Sequence, residues 1–187
     1  MKILGIDLTG KEENPTGISI FDRYKMDLST IYTNQDILKL IDELKPSVIV
    51  IDAPLSLPKG RCCLEKNCKC AVGGHFRQAG KDIRQYGRVL PLTFHGMKML
   101  TLRGIKLASE LKNDYELLES HPRTVQKILK FRDQLSGLNQ FFSVSSKATE
   151  HELDAGVLAI PGFFCIIKIA ALNWVILMKV LYLSQRM

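Results

Sequence analysis

The chain is poor in aromatic residues. They make up 7% of 187 residues, with one tryptophan, Trp174, so there is no ring platform on which single-stranded bases would stack. It has no secretory pattern at its start, because the first residues already read as a core strand. That predicts a cytoplasmic protein with reduced thiols. Nor is any clean apolar run long enough to cross a bilayer. Ile169 to Met178 is too short, and a longer span would bury Lys168. A membrane anchor is therefore disfavoured against a buried or partner-packed helix. Finally, 187 residues leave room for one domain with a real core, not two domains around a cleft.

Hydrophobic residues at 46% and charged residues at 24% are ordinary for a globular protein. The net charge of +7 is unevenly spread. Arg61 to Lys106 holds ten Lys/Arg against two Asp/Glu, and the remainder is close to neutral. A basic block beside an acidic site suits a polyanion such as nucleic acid, and a solvated basic surface is the bland alternative.

Two apolar runs end on aspartate. Ile3-Leu4-Gly5-Ile6 delivers Asp7, followed by Thr9-Gly10. Val48-Ile49-Val50-Ile51 delivers Asp52, followed by Ala53-Pro54. Both read as buried strands. Between them, Thr16 to Asp22 alternates apolar and polar, and Met26 to Tyr32 reads as a third strand. A helix from about Gln35 to Leu44 follows, capped by Asn34, with Ile37, Leu40, Ile41 and Leu44 in one stripe. Three antiparallel strands, a helix and a crossover strand would set Asp7 and Asp52 side by side at the carboxyl ends of parallel neighbours. The simpler reading of each aspartate is a turn residue bonding backbone N–H groups.

Residues 56–90 form a Cys-rich, basic, loop-like stretch. A helix is expected from Pro91 to about Lys112, and a fifth strand over Tyr115 to Ser120. A short helix follows over Thr124 to Lys130, then a polar loop over Ser136 to Ser146. Thr149-Glu150-His151-Glu152 fits a capping box, and His151 and Asp154 share a face of the helix it starts. Small and apolar residues after Asp154 would let that helix press on the sheet. Glu119, at the end of the fifth strand, is either a fourth acid or a partner for Arg123. Residues 161–187 form an atypical apolar tail, interrupted first by Pro161-Gly162, and offer a surface for a homodimer. A shifted reading frame would also explain it.

These motifs carry a resemblance. Gly5-Ile6-Asp7-Leu8-Thr9-Gly10, Thr16-Gly17-Ile18-Ser19-Ile20, Ile51-Asp52-Ala53-Pro54-Leu55, Glu119-Ser120-His121-Pro122 and His151-Glu152-Leu153-Asp154-Ala155 resemble, in order, a family of uncharacterised predicted nucleases with a ribonuclease H-like fold. The resemblance runs from residue 1 to about residue 160. It implies an α/β fold, a mixed five-stranded sheet with helices on both faces, and the length makes 1–187 one domain. It implies acids on strands one and four and on the C-terminal helix, the places of Asp7, Asp52 and Asp154. Such carboxylates repel each other unless a hard cation, Mg²⁺ or Mn²⁺, neutralises them. Two ions would then serve phosphodiester hydrolysis. Asp7 would bridge them, with Asp52 on one and Asp154 on the other, and His151 and Glu119 as further candidates for catalysis. A sugar-kinase or actin type of phosphotransferase also opens on Gly-Ile-Asp. A nucleic-acid- or partner-binding protein without catalysis would use the same basic block.

Two further constellations stand apart. Cys62, Cys63, Cys68 and Cys70 lie within nine residues, with a spacing that is awkward for a single tetrahedron; structural zinc, loop disulfides and free thiols are the alternatives. Arg61, Arg77, Lys81, Arg84 and Arg88 are the expected phosphate contacts, the last four forming one stripe if Phe76 to Arg88 is helical. Cys165, in the apolar tail, is expected in the core.

Overall fold

The computed structural model describes residues 1–23, 25–144 and 147–167. Trp174, Lys168 and the expected tail contacts beyond residue 167 lie outside the described residues. Five strands, β1 (Lys2–Asp7), β2 (Thr16–Asp22), β3 (Lys25–Ile31), β4 (Val48–Ile51) and β5 (Leu117–Glu119), form one sheet in the order β3-β2-β1-β4-β5. β1–β2 and β2–β3 are antiparallel; β1–β4 and β4–β5 are parallel. The helices are α1 (Asn34–Leu44), α2 (Gln78–Asp82), α3 (His95–Leu111), α4 (Pro122–Ile128), α5 (Gln134–Leu138) and α6 (Glu150–Ile167).

The two-residue period of β1 and β4 divides the core. Leu4, Ile6, Ile49 and Ile51 pack with Ile37 and Ile41 of α1 and Leu107 and Leu111 of α3. Ile3, Val48 and Val50 pack on the other face with Val125 of α4, Leu138 of α5 and Val157 to Ile160 of α6. Strands covered on both faces must be apolar throughout, which is why β1 and β4 read as uninterrupted runs.

Several boundaries differ from the sequence reading. Thr33, not Asn34, caps α1: its side chain accepts from the Asp36 N–H at 3.1 Å, and Asn34 instead accepts from buried Arg103 at 2.7 Å. The stretch 136–146 is not all loop, because α5 covers its start, capped by Asp133. Helix α6 does not stop at Pro161-Gly162 but runs to Ile167. Pro161 removes one donor there, yet a Cβ on Gly162 would stand 2.6 Å from Ile3 Cγ2 and 2.9 Å from Val50 Cγ2, so close packing on the sheet holds the turn. Cys165 is half-buried against this core and its thiol lies 3.4 Å from Glu116 Oε1. No helix among the described residues is long and apolar enough to cross a membrane.

Candidate active site

Period two also decides which acids meet. Along β1, Ile3, Gly5 and Asp7 point to the α6 face, and β4 continued by one residue carries Asp52 to the same face beside Asp7. Helix α6 then brings its first two turns across β1 and β2. A Cβ on Gly17 would lie 2.0 Å from the His151 carbonyl oxygen, and one on Gly5 would lie 2.3 Å from that of Ala155. Only glycine allows so close a helix. Ser19 Oγ donates to the Ala155 carbonyl at 2.7 Å, anchoring the contact. The capping box forms as expected: Thr149 N–H donates to Glu152 at 2.8 Å, and Glu152 N–H to Thr149 Oγ1 at 3.3 Å.

This seating puts His151 Nδ1 2.6 Å from Asp7 Oδ2. Asp154, one turn on, is buried and accepts a hydrogen bond from Gln134 on α5. Arg123 of α4 pairs with Glu150 and stands 3.8 Å from Asp154 Oδ2. Burial pushes Asp7 up to about 6, opposed by the hydrogen bond with His151 and reinforced by the charge of Asp154. Burial pushes Asp52 well above the usual carboxylate range, and the charges of Asp7, Asp154 and Glu119 push the same way. Asp154 is also raised by burial, with Arg123 and Gln134 opposing. Three carboxylates thus share one poorly solvated place, where Asp154 raises Asp7 and both raise Asp52, with Arg123 as an opposing cation. The donor set is hard oxygen with one imidazole, which fits Mg²⁺ or Mn²⁺. Among the described residues, only the four cysteines draw three or more such ligand atoms within 4.8 Å of one another.

Glu119 falls on the opposite face of the sheet from Leu118. It accepts from Leu55 N–H at 2.9 Å and pairs with Arg77, not Arg123, because β5 runs its end toward the 53–90 segment. Arg77 also donates to Ser56 Oγ at 3.0 Å. Beside them lies a cavity of about 260 Å³, open to Asp52 and lined by Phe76, Ile83, Arg88 and Ser120 among others. The hydroxyl of Ser120 is buried without a hydrogen-bond partner.

The expected basic stripe is not one helix. Residues 78–85 form two short helical pieces, α2 and a single 3₁₀ turn, so the four-residue spacing does not place the side chains on one continuous face. Lys81, Arg84 and Arg88 are exposed, with Arg84 3.9 Å above the Phe76 ring. Arg61 is not a surface contact: it is buried and donates to the carbonyls of Cys63, Glu65 and Gly74, each at 2.8 Å. An arginine that satisfies three carbonyls has little left for a phosphate.

The sequence reading missed Gln134 and Arg103. Gln134 lies between the expected helix over Thr124 to Lys130 and the expected loop from Ser136, in a stretch with no expected element. Arg103 reaches from α3 to the carbonyls of Thr9, Lys11 and Tyr32 at 2.8, 3.2 and 2.6 Å, fixing the turn after Asp7. An arginine inside an otherwise apolar helical stripe was the available signal.

A sheet of order 3-2-1-4-5, with β2 and β3 antiparallel, β4 and β5 parallel, and acids at the ends of β1 and β4 and on the covering helix, is a ribonuclease H-like fold. No protein-family model matches the sequence, and no curated protein does. Among solved structures the chain is similar to Thermus thermophilus RuvC in complex with a Holliday junction substrate: TM-score 0.55, 11% identity, covering 89% of this chain and 96% of that one. A second Thermus thermophilus RuvC structure matches at TM-score 0.52 and 11% identity, over 90% and 97% of the two chains. At that identity the likeness is one of fold.

Proposed function

We propose that this protein is a divalent-metal-dependent nuclease that hydrolyses phosphodiester bonds of nucleic acid. One observation carries the reading. Asp7, Asp52 and Asp154, from two strand ends and a distant helix, share one partly dehydrated place where burial raises all three, and the charge of Asp154 adds to the shifts of Asp7 and Asp52. A fold gains no stability from that arrangement, so function is its natural explanation. Mg²⁺ or Mn²⁺ held there would supply an activated water and charge for the leaving oxygen. Asp7, Asp52 and Asp154 would hold the ions. His151 orients Asp7 through its Nδ1 contact and keeps its other ring nitrogen for a water or leaving group. Gln134 holds the Asp154 carboxylate in place. Lys81, Arg84 and Arg88 present positive charge on the segment beside Asp52 and suit a phosphate backbone. The RuvC structure with a Holliday junction supports DNA, including branched DNA, as a substrate class to test.

The test is calorimetric Mn²⁺ titration of the native protein and Asp7→Asn, with cleavage of labelled RNA, duplex DNA, hybrid and four-way-junction DNA in parallel. Native protein should bind Mn²⁺ and cut at least one substrate. Asp7→Asn should lower turnover on the order of 10³-fold or more and abolish tight metal binding. Absence of Mn²⁺ binding at millimolar concentration, with nucleic acid still bound, would replace this reading with a non-catalytic binding protein.

A further inference from the structure

The cysteine segment is an independent piece of chemistry. Between residues 61 and 74, Leu64 is the one buried apolar side chain. A loop with so little core needs another constraint to hold a shape. Its four thiols are drawn together. The sulfurs of Cys62, Cys63, Cys68 and Cys70 all lie within 4.8 Å of one another, with Cys62–Cys68 at 3.9 Å and Cys63–Cys70 at 3.6 Å. Neither pair is bridged. A disulfide would require about 2 Å. Four thiolates at about 2.3 Å from a tetrahedral ion stand about 3.8 Å apart along each edge, close to the separations of these two pairs.

The backbone is arranged for that cluster. Buried Arg61 ties the carbonyls of Cys63, Glu65 and Gly74 to one guanidinium, closing the loop around the sulfurs. A Cβ on Gly73 would lie 2.7 Å from the Lys59 carbonyl oxygen, so the two ends of the segment meet only through glycine. Arg61, Lys66 and Lys69 also add positive charge to the same loop, which would offset metal-bound thiolates. The adjacent Cys62-Cys63 pair, awkward as a spacing, contributes one sulfur to each of the two close contacts.

We propose that Cys62, Cys63, Cys68 and Cys70 hold one structural Zn²⁺ that fixes residues 61–74. The same segment continues into Phe76, Arg77 and Arg88, which line the cavity open to Asp52. Zinc therefore sets the position of the basic side chains without touching the carboxylates.

The full chain, purified without added metal, is examined by elemental analysis and intact-mass spectrometry, then exchanged with Co²⁺. About one zinc per chain, and a Co²⁺ spectrum with tetrahedral d–d intensity and thiolate charge transfer, are expected. The double variant Cys62→Ser/Cys70→Ser should lose the zinc, while Cys165→Ser keeps it. Should the double variant not fold, metal content and the Co²⁺ spectrum of the native chain decide alone. A mass lighter by the hydrogens lost on bridging, reduced thiols without metal, or iron in place of zinc would each overturn the proposal.

Discussion

The carboxylate edge and the cysteine loop are built in opposite ways. The acids come from residues 7, 52 and 154, and meet only because β1, β4 and α6 pack together. The four thiols come from nine consecutive residues and meet within one loop. The acids stand in the core of the fold and work against it, since burial and mutual charge oppose their ionisation. The thiols lie outside that core and take its place locally. A site assembled by tertiary packing is thus sensitive to the helix seat, whereas a site assembled locally is sensitive to its own backbone.

The largest break in that comparison comes at Gly17. Gly17→Ala sets a methyl 2.0 Å from the His151 carbonyl, so α6 must shift off the sheet. A loss of about 3 kcal/mol in urea unfolding is expected, together with loss of Mn²⁺ binding. Zinc content should not change. Loss of zinc alongside the carboxylate site would show that the two regions are not independent.

A smaller effect sharpens the contrast through pH. Asp7 has a folded pKa of about 6 against an ordinary value of 3.8. The folded state therefore holds a proton that the unfolded chain has released, and metal-free protein loses stability as pH rises from about 4 through 6. Above pH 6 the full cost remains, roughly 1–3 kcal/mol. Asp7→Asn should unfold at higher temperature than the metal-free native protein at pH 7.5, with the gap roughly halved at pH 5 and gone below pH 4. Mn²⁺ should raise the native midpoint and leave the variant's unchanged. A variant less stable than metal-free native protein at pH 7.5 would refute a strained carboxylate.

The smallest effects separate exposed from buried arginine. Arg88→Ala or Lys81→Ala should weaken nucleic-acid binding a few-fold and lower the salt slope by about 1. Arg61→Ala should instead free the loop, seen as faster amide exchange over 61–74, because three carbonyls lose their donor. Equal salt-slope changes in all three variants would place Arg61 at the surface after all.

Much of the carboxylate edge was legible because its parts are local. Strands that end on Asp7 and Asp52, and a capping box ahead of Asp154, are short-range patterns. Glu119 was legible as an acid at a strand end but not as the partner of Arg77, 42 residues away, because that pairing depends on how the 53–90 segment folds back. Arg61 and Arg88 have the same side chain, and only burial tells one from the other. Gln134 was hidden for a similar reason: α5 has five residues, too few for a helical period to show.

By itself, the sequence determined the strands, the crossover that sets β4 parallel to β1, and the nearness of four thiols. Each follows from spacing along the chain, through hydrophobic period, turn residues and a short loop. Tertiary structure alone decided that His151 meets Asp7 across 144 residues, that Gln134 holds Asp154, and that Arg61 turns inward. Those contacts depend on how closely backbones approach, at Gly5 and Gly17 above all, and that distance is set by the packing of whole elements.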